Sequence, residues 1–207
     1  MTFRLLVCAL LAALTMSLVT SVALCKTEAE CLEAIKAGNE LIKKDPNDFR
    51  GYASRGCAYG YLKKHKMAEK DLLKAISIKP KEAGLYAHLA GVYLGMERYE
   101  EAVTASRKVV DLGGRSENNY NALLGNLCMA HKFDECMTKC DEVLSKFPKD
   151  AFAYFYRAIS KNEIGTFPKS DVLSDLAEAH SLNPSDAGFK RIYDLALAGQ
   201  YQKLNNR

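Results

Sequence analysis

Cysteine and histidine are the residues of this chain whose types and spacing could support chemistry. Cys136 and Cys140 stand one helical turn apart, and Cys128 lies eight positions before Cys136. Three readings of this group are open. An oxidised Cys128–Cys136 pair would staple two neighbouring segments together. Cys128, His131, Cys136 and Cys140 could instead gather a metal ion, although their spacing is not a standard zinc pattern. Or the thiols are small buried hydrophobes on core positions. Cys57 and His88 could form a nucleophile and its base, but the sequence supplies no third group to orient the histidine. The chain has no Gly-rich phosphate loop, no HExxH and no GxSxG elbow. We therefore expect no catalytic residue, no resident metal and no cofactor, and read the chain as not an enzyme.

The elements that would position these residues follow from a period. The stretch Phe49 to Pro80 places Tyr52, Gly56, Tyr59, Ala68, Leu72 and Ala75 at helical spacing and closes on proline. The pattern recurs 34 residues later with Tyr86, Ala90, Tyr93, Ala102 and Val109, ending at Gly113-Gly114. A third copy holds Tyr120, Leu123, Leu127, Cys136, Cys140, Val143 and Pro148, and a fourth holds Tyr154, Ala158, Leu176, Ala179 and Pro184. Pro46 and Pro80 are 34 apart, and Pro80 and Pro148 twice that. A fixed period of this length marks stacked helix pairs. Large tyrosines wedge between units, Gly56 and Ala68 let helix axes approach, and proline or glycine stops each pair.

These residues resemble the tetratricopeptide repeat family. The resemblance covers Phe49 to Pro184 and implies an all-α fold, a right-handed superhelical solenoid of antiparallel helix pairs. Helices are expected at 48–62 and 66–78, 82–96 and 99–111, 116–130 and 133–146, and 150–164 and 169–182. The corresponding repeats are 49–82, 83–116, 117–150 and 151–186. The chain departs from the family pattern at Leu124, which occupies a slot usually small, with Gly125 one place late. Two further residues, Pro168 and Lys169, lengthen the turn of the fourth pair, where Val172 takes an alanine slot.

Before the repeats, Thr27 and Glu30 form a capping box for an amphipathic helix to Lys44, with Cys31, Ile35, Gly38, Leu41 and Ile42 on one face. Residues 26–48 are thus an N-terminal half-repeat, and 185–207 a C-terminal capping helix and tail. Ser116, Asp150 and Ser185 are the expected N-caps. No linker interrupts Thr27 to Ala198, which reads as one domain.

Residues 1–25 are a different material. Arg4 precedes an apolar run from Leu5 to Leu24, and no acid appears before Glu28. This reads as a cleaved export signal or a retained membrane anchor through 5–24. Either places the repeats outside the cytosol. Lys and Arg number 29 against 25 Asp and Glu, so the net charge of +4 is too small to argue for nucleic acid. The turn Lys63-Lys64-His65-Lys66 reads first as solvated, and second as attracted to an anionic membrane.

The resemblance also implies a function: binding a protein or peptide in a groove lined by the first helix of each pair. The matching inward slots nominate Arg50, Ser54, His88, Asn118, Asn121, Phe152, Phe155, Tyr156 and Asn162. Asparagines there would bond a peptide backbone and aromatics would anchor a side chain, unless the capping helix covers Phe152 and Phe155. The carboxylate clamp of the family's chaperone-binding members is not expected, because its slots hold Ala53, Cys57 and His88. The alternative function is a structural part of an envelope or membrane-associated assembly that binds by its convex face or its ends. A thiol- or metal-dependent catalyst comes third.

Overall fold

A computed structural model of the chain describes residues 27–113 and 116–199. The apolar run 5–24, on which the expectation of an export signal or membrane anchor rests, and the tail 200–207 lie outside them. The described residues hold helices and no strand: α1 (Glu28–Lys44), α2 (Phe49–Tyr61), α3 (His65–Ile78), α4 (Ala83–Gly95), α5 (Tyr99–Gly113), α6 (Glu117–Met129), α7 (Phe133–Lys146), α8 (Ala151–Ile164), α9 (Lys169–Leu182) and α10 (Ala187–Leu197). Every expected helix end falls within two residues of an observed one. The fold is all-α, of the tetratricopeptide solenoid type.

Local chemistry explains the boundaries. Thr27 Oγ1 accepts from the Glu30 amide and Glu30 Oε2 from the Thr27 amide, both at 3.2 Å, so the capping box forms. Asp48 and Asp150 cap α2 and α8 by accepting from Arg50 N and Ala153 N. Ser116 accepts weakly from Asn119 N at 3.4 Å. The cap expected of Ser185 is made instead by Asp186, which accepts from Gly188 N at 2.8 Å and Phe189 N at 3.1 Å. Asp48, Asp150 and Asp186 each lie two residues after a proline. A carboxylate outcompetes a neutral hydroxyl for amides at the positive end of a helix. Tyr52 and Tyr86 donate from Oη to the carbonyls of Pro46 and Pro80, at 3.2 and 3.0 Å, tying each first helix to the close of the preceding unit.

The contacts divide the chain into two compact units, one ending at Asn119 and one beginning at Tyr120, inside α6. In a repeat array each element packs mainly on its sequence neighbours, so such units arise without a linker. The core of the N-terminal unit joins α2, α3, α4 and α5 through Ala53, Ala68, Leu72, Leu85, Leu89, Tyr93 and Ala102. Close approach rests on small residues: a Cβ on Gly56 would meet Leu72 Cγ at 3.0 Å, and one on Gly38 would meet the Gly51 carbonyl at 2.8 Å. The core of the C-terminal unit is built on Tyr120, Leu124, Leu127, Phe155, Tyr156, Ile159, Leu176, Phe189 and Ile192. Leu124 is fully buried there, so the larger residue is taken up by packing.

Candidate functional site

Of the nominated groove residues, Arg50, Ser54, His88 and Asn118 lie in the N-terminal unit, and Asn121, Phe152, Phe155, Tyr156 and Asn162 in the C-terminal unit. The two sets fare differently.

In the C-terminal unit three of the five nominated groove residues are core. Asn121 is 2% exposed, and Phe155 and Tyr156 are each 1% exposed. They present no surface to a partner, which corrects their assignment as binding residues. The cause is α10. Phe189, fully buried, sets its ring 4.7 Å from that of Phe155 and 5.2 Å from that of Phe152. α10 fills the space an incoming side chain would need beside Phe152 and Phe155, as the alternative reading of these aromatics held. Asn162 is half-buried; it donates to Glu163 at 3.3 Å and lines a shallow cavity of about 280 Å³ with Lys161, Phe167 and Lys169.

In the N-terminal unit a wall remains open. α2 presents Arg50, Ser54, Cys57 and Tyr61, and α4 presents Gly84, Ala87, His88 and Gly91. The two helices touch directly, since a Cβ on Gly60 would lie 3.4 Å from Val92 Cγ2. Tyr61 is 46% exposed, and a Cβ on Gly91 would meet nothing within 4 Å. Arg50 reaches outward while paired with Asp48 at 2.7 Å, and Ser54 Oγ donates to Ala34 O at 3.5 Å. Burial lowers the pKa of His88, so its ring is neutral at neutral pH and offers one donor and one acceptor. Asn118 is exposed. The wall therefore combines free space, neutral hydrogen-bonding groups, one phenol and an arginine already paired with Asp48, which suits an uncharged backbone better than a phosphate or a carboxylate.

Sequence reading missed a repeated ionic staple. Arg55 on α2 donates from Nε and Nη2 to Asp71 on α3, at 2.7 and 2.8 Å, and from Nη1 to Asn39 on α1. Arg157 on α8 donates to Asp175 on α9 at 2.6 and 3.0 Å and to Asp141 on α7 at 2.8 Å. Arg55 and Arg157 are 102 positions apart, as are Asn39 and Asp141, three periods of 34. That coincidence was the available signal. Both aspartates are buried, and the fork of each arginine satisfies two oxygens while bridging three helices.

The thiols of Cys128, Cys136 and Cys140 come together in the C-terminal unit, all buried, with Cys128 Sγ 3.3 Å from Cys136 Sγ and 3.9 Å from Ser160 Oγ. His131 is exposed on the surface instead of joining them. Among the described residues no three His, Cys, Asp or Glu side chains are placed to hold a metal ion, and no helix is long and apolar enough to cross a membrane.

The repeats have known counterparts. The tetratricopeptide repeat model matches residues 49–82 and 83–112. The small glutamine-rich tetratricopeptide repeat-containing protein 2 of Saccharomyces cerevisiae is 31% identical over 118 residues, 57% of this chain and 34% of that protein. The chain thus spans about a third of this relative's length. Among solved structures, that of MamA aligns with a TM-score of 0.67 at 18% identity, covering 77% of this chain and 92% of its own. YrrB, described as a tetratricopeptide protein with an unusual peptide-binding site, aligns with a TM-score of 0.60 at 17% identity, covering 83% and 88%. The chain therefore carries tetratricopeptide repeats, matched in sequence over 49–82 and 83–112, and shares the all-helical solenoid fold of that family.

Proposed function

We propose that this chain is a non-enzymatic interaction scaffold that holds an extended peptide segment of another protein against the α2–α4 wall. The observation that carries this is the open space at Gly91 on α4, one turn from the neutral ring of His88 on the same helix, with exposed Tyr61 on the neighbouring α2. A peptide laid there exchanges backbone hydrogen bonds with Ser54 and His88 and buries an apolar side chain beside Tyr61. The apolar run 5–24 supports placing the repeats outside the cytosol, either exported or tethered at a membrane.

Because Gly91 faces open space, a large side chain fits there without disturbing the fold. Peptides selected by display against the intact chain should bind Gly91→Arg at least about tenfold more weakly, a loss of about 1.4 kcal/mol. They should bind Lys108→Glu, a change at an exposed α5 position, as they bind the parent. Equal binding to Gly91→Arg and parent would overturn the wall as the binding surface.

A second reading rests on α3. Its outward face carries Lys66, Lys70 and Lys74 with Met67 and Leu73, 47% and 45% exposed, and no acid. Glu69 and Asp71 turn inward to Arg98 and Arg55. Such a face suits an anionic assembly surface. The triple change of these lysines to Glu should abolish attachment on this reading and leave peptide capture intact on the first.

A further inference from the structure

The three thiols of the C-terminal unit are not equivalent. Cys136 and Cys140 lie one turn apart on the same helix, so their Cβ atoms project in parallel and a bond between them would require α7 to unwind. Cys128 comes from the end of α6 and approaches Cys136 from the opposite side, sulfur to sulfur at 3.3 Å. A closure of about 1 Å brings that pair to bonding distance. Burial pushes the Cys128 and Cys140 thiols well up. Burial also acts on Cys136, but hydrogen bonds from Cys128, Cys140 and Ser160 outweigh it and hold Cys136 well below its ordinary value.

We propose that Cys128 and Cys136 are an oxidisable pair that locks α6 to α7 by exchange with a small-molecule disulfide such as oxidised glutathione. One thiolate of the pair attacks one sulfur of the disulfide and expels the first small thiolate, leaving a mixed disulfide on the chain. The other thiolate of the pair then attacks the protein sulfur of that mixed disulfide, expels the second small thiolate, and closes the Cys128–Cys136 bond. Two protein thiols give up two electrons and two protons, and the small disulfide leaves as two thiols. Cys140 stays reduced beside them. Because all three sulfurs are buried, exchange occurs on the chain before α6 and α7 pack, or on opening of that pair.

Trypsin separates the three cysteines, since Lys132, Lys139 and Lys146 are its cleavage sites between and after them. The full chain is refolded in mixed reduced and oxidised glutathione, its free thiols are alkylated, and it is digested without reduction. The expected result is one linked species joining the peptide ending at Lys132 to the peptide 133–139, two hydrogens lighter than their sum, with Cys140 alkylated. Reduction of the oxidised, undigested chain should lower its melting temperature by several degrees. Cys140→Ser should keep the link and the shift, and Cys136→Ser should lose both. Alkylation of all three cysteines, or a dominant link through Cys140, Cys31 or Cys57, overturns the proposal. The wild-type peptide map decides even where a variant fails to fold.

Discussion

At the scale of the residue, the two arginine staples allow a comparison that isolates one charge. Asp71 has Arg55 as its cation, while Asp175 has both Arg157 and Lys161, the latter at 2.9 Å. Removing an arginine leaves a buried carboxylate to be neutralised or hydrated, which costs several kcal/mol when no other cation remains. Each guanidinium is about a fifth exposed, so solvent takes back part of that. Arg55→Ala should therefore cost about 2–3 kcal/mol, and Arg157→Ala about 1 kcal/mol less, in urea melts of the single variants. Equal losses would mean that Lys161 does not compensate. Glu142 gives the acid-side counterpart. Lys139 and Lys146, with help from the Tyr120 hydroxyl, lower its pKa from 4.5 to about 2. A carboxylate depressed in the folded state adds stability above its unfolded pKa and loses it as pH falls through the folded one. The melting temperature of the parent should thus exceed that of Glu142→Gln at neutral pH. The two should converge between pH 4.5 and about 2, and the gap should shrink at high salt because Glu142 is over a third exposed.

At the scale of the element, the turns inside the helix pairs carry strain at fixed intervals. Lys63, Glu97 and His131 have φ of 57°, 58° and 57°, and Gly165, again 34 residues on, has φ of 75°. Each turn between the first and second helix of a pair places one residue in the left-handed region, and only the fourth pair uses the residue for which this is free of steric cost. Glu97→Gly should raise stability by about 0.5–1 kcal/mol, the relief of left-handed strain less the added freedom of the unfolded chain, and Gly165→Ala should lower it by about 1 kcal/mol. Opposite signs in chemical denaturation are the check. These turns also show what a single sequence discloses. Helix positions were legible because apolar spacing and prolines record them directly. The left-handed residues were not, because lysine, glutamate and histidine do not advertise that conformation and only the 34-residue register links them to Gly165. Asp186 was missed as a cap for a similar reason: Ser185 next to it is as good a candidate by type, and proline spacing alone separates them.

At the scale of the whole chain, the site was less legible than the fold because a groove slot and a core slot look alike until the next helix is placed. Phe152, Phe155 and Tyr156 sit where the pattern puts inward-facing residues, yet α10 turns them into packing, while the α2–α4 wall stays open. The same helix yields the last test. α10 packs on α9, and its buried side is Phe189, Ile192 and Ala196. The fourth helix pair has an apolar face that the next helix must cover, and α10 does so with Phe189, Ile192 and Ala196. Phe189→Ala should then cost about 3–5 kcal/mol, the loss of a fully buried aromatic plus the cavity beside Phe152 and Phe155. A chain ending at residue 186 should go further, exposing those two rings, binding anilinonaphthalene sulfonate and self-associating in sedimentation. Phe152→Gln introduced into the truncated chain should reduce that dye binding, since it removes part of the uncovered patch. A truncated chain that stays monomeric and dark to the dye would show that the aromatics of α8 close over themselves without α10.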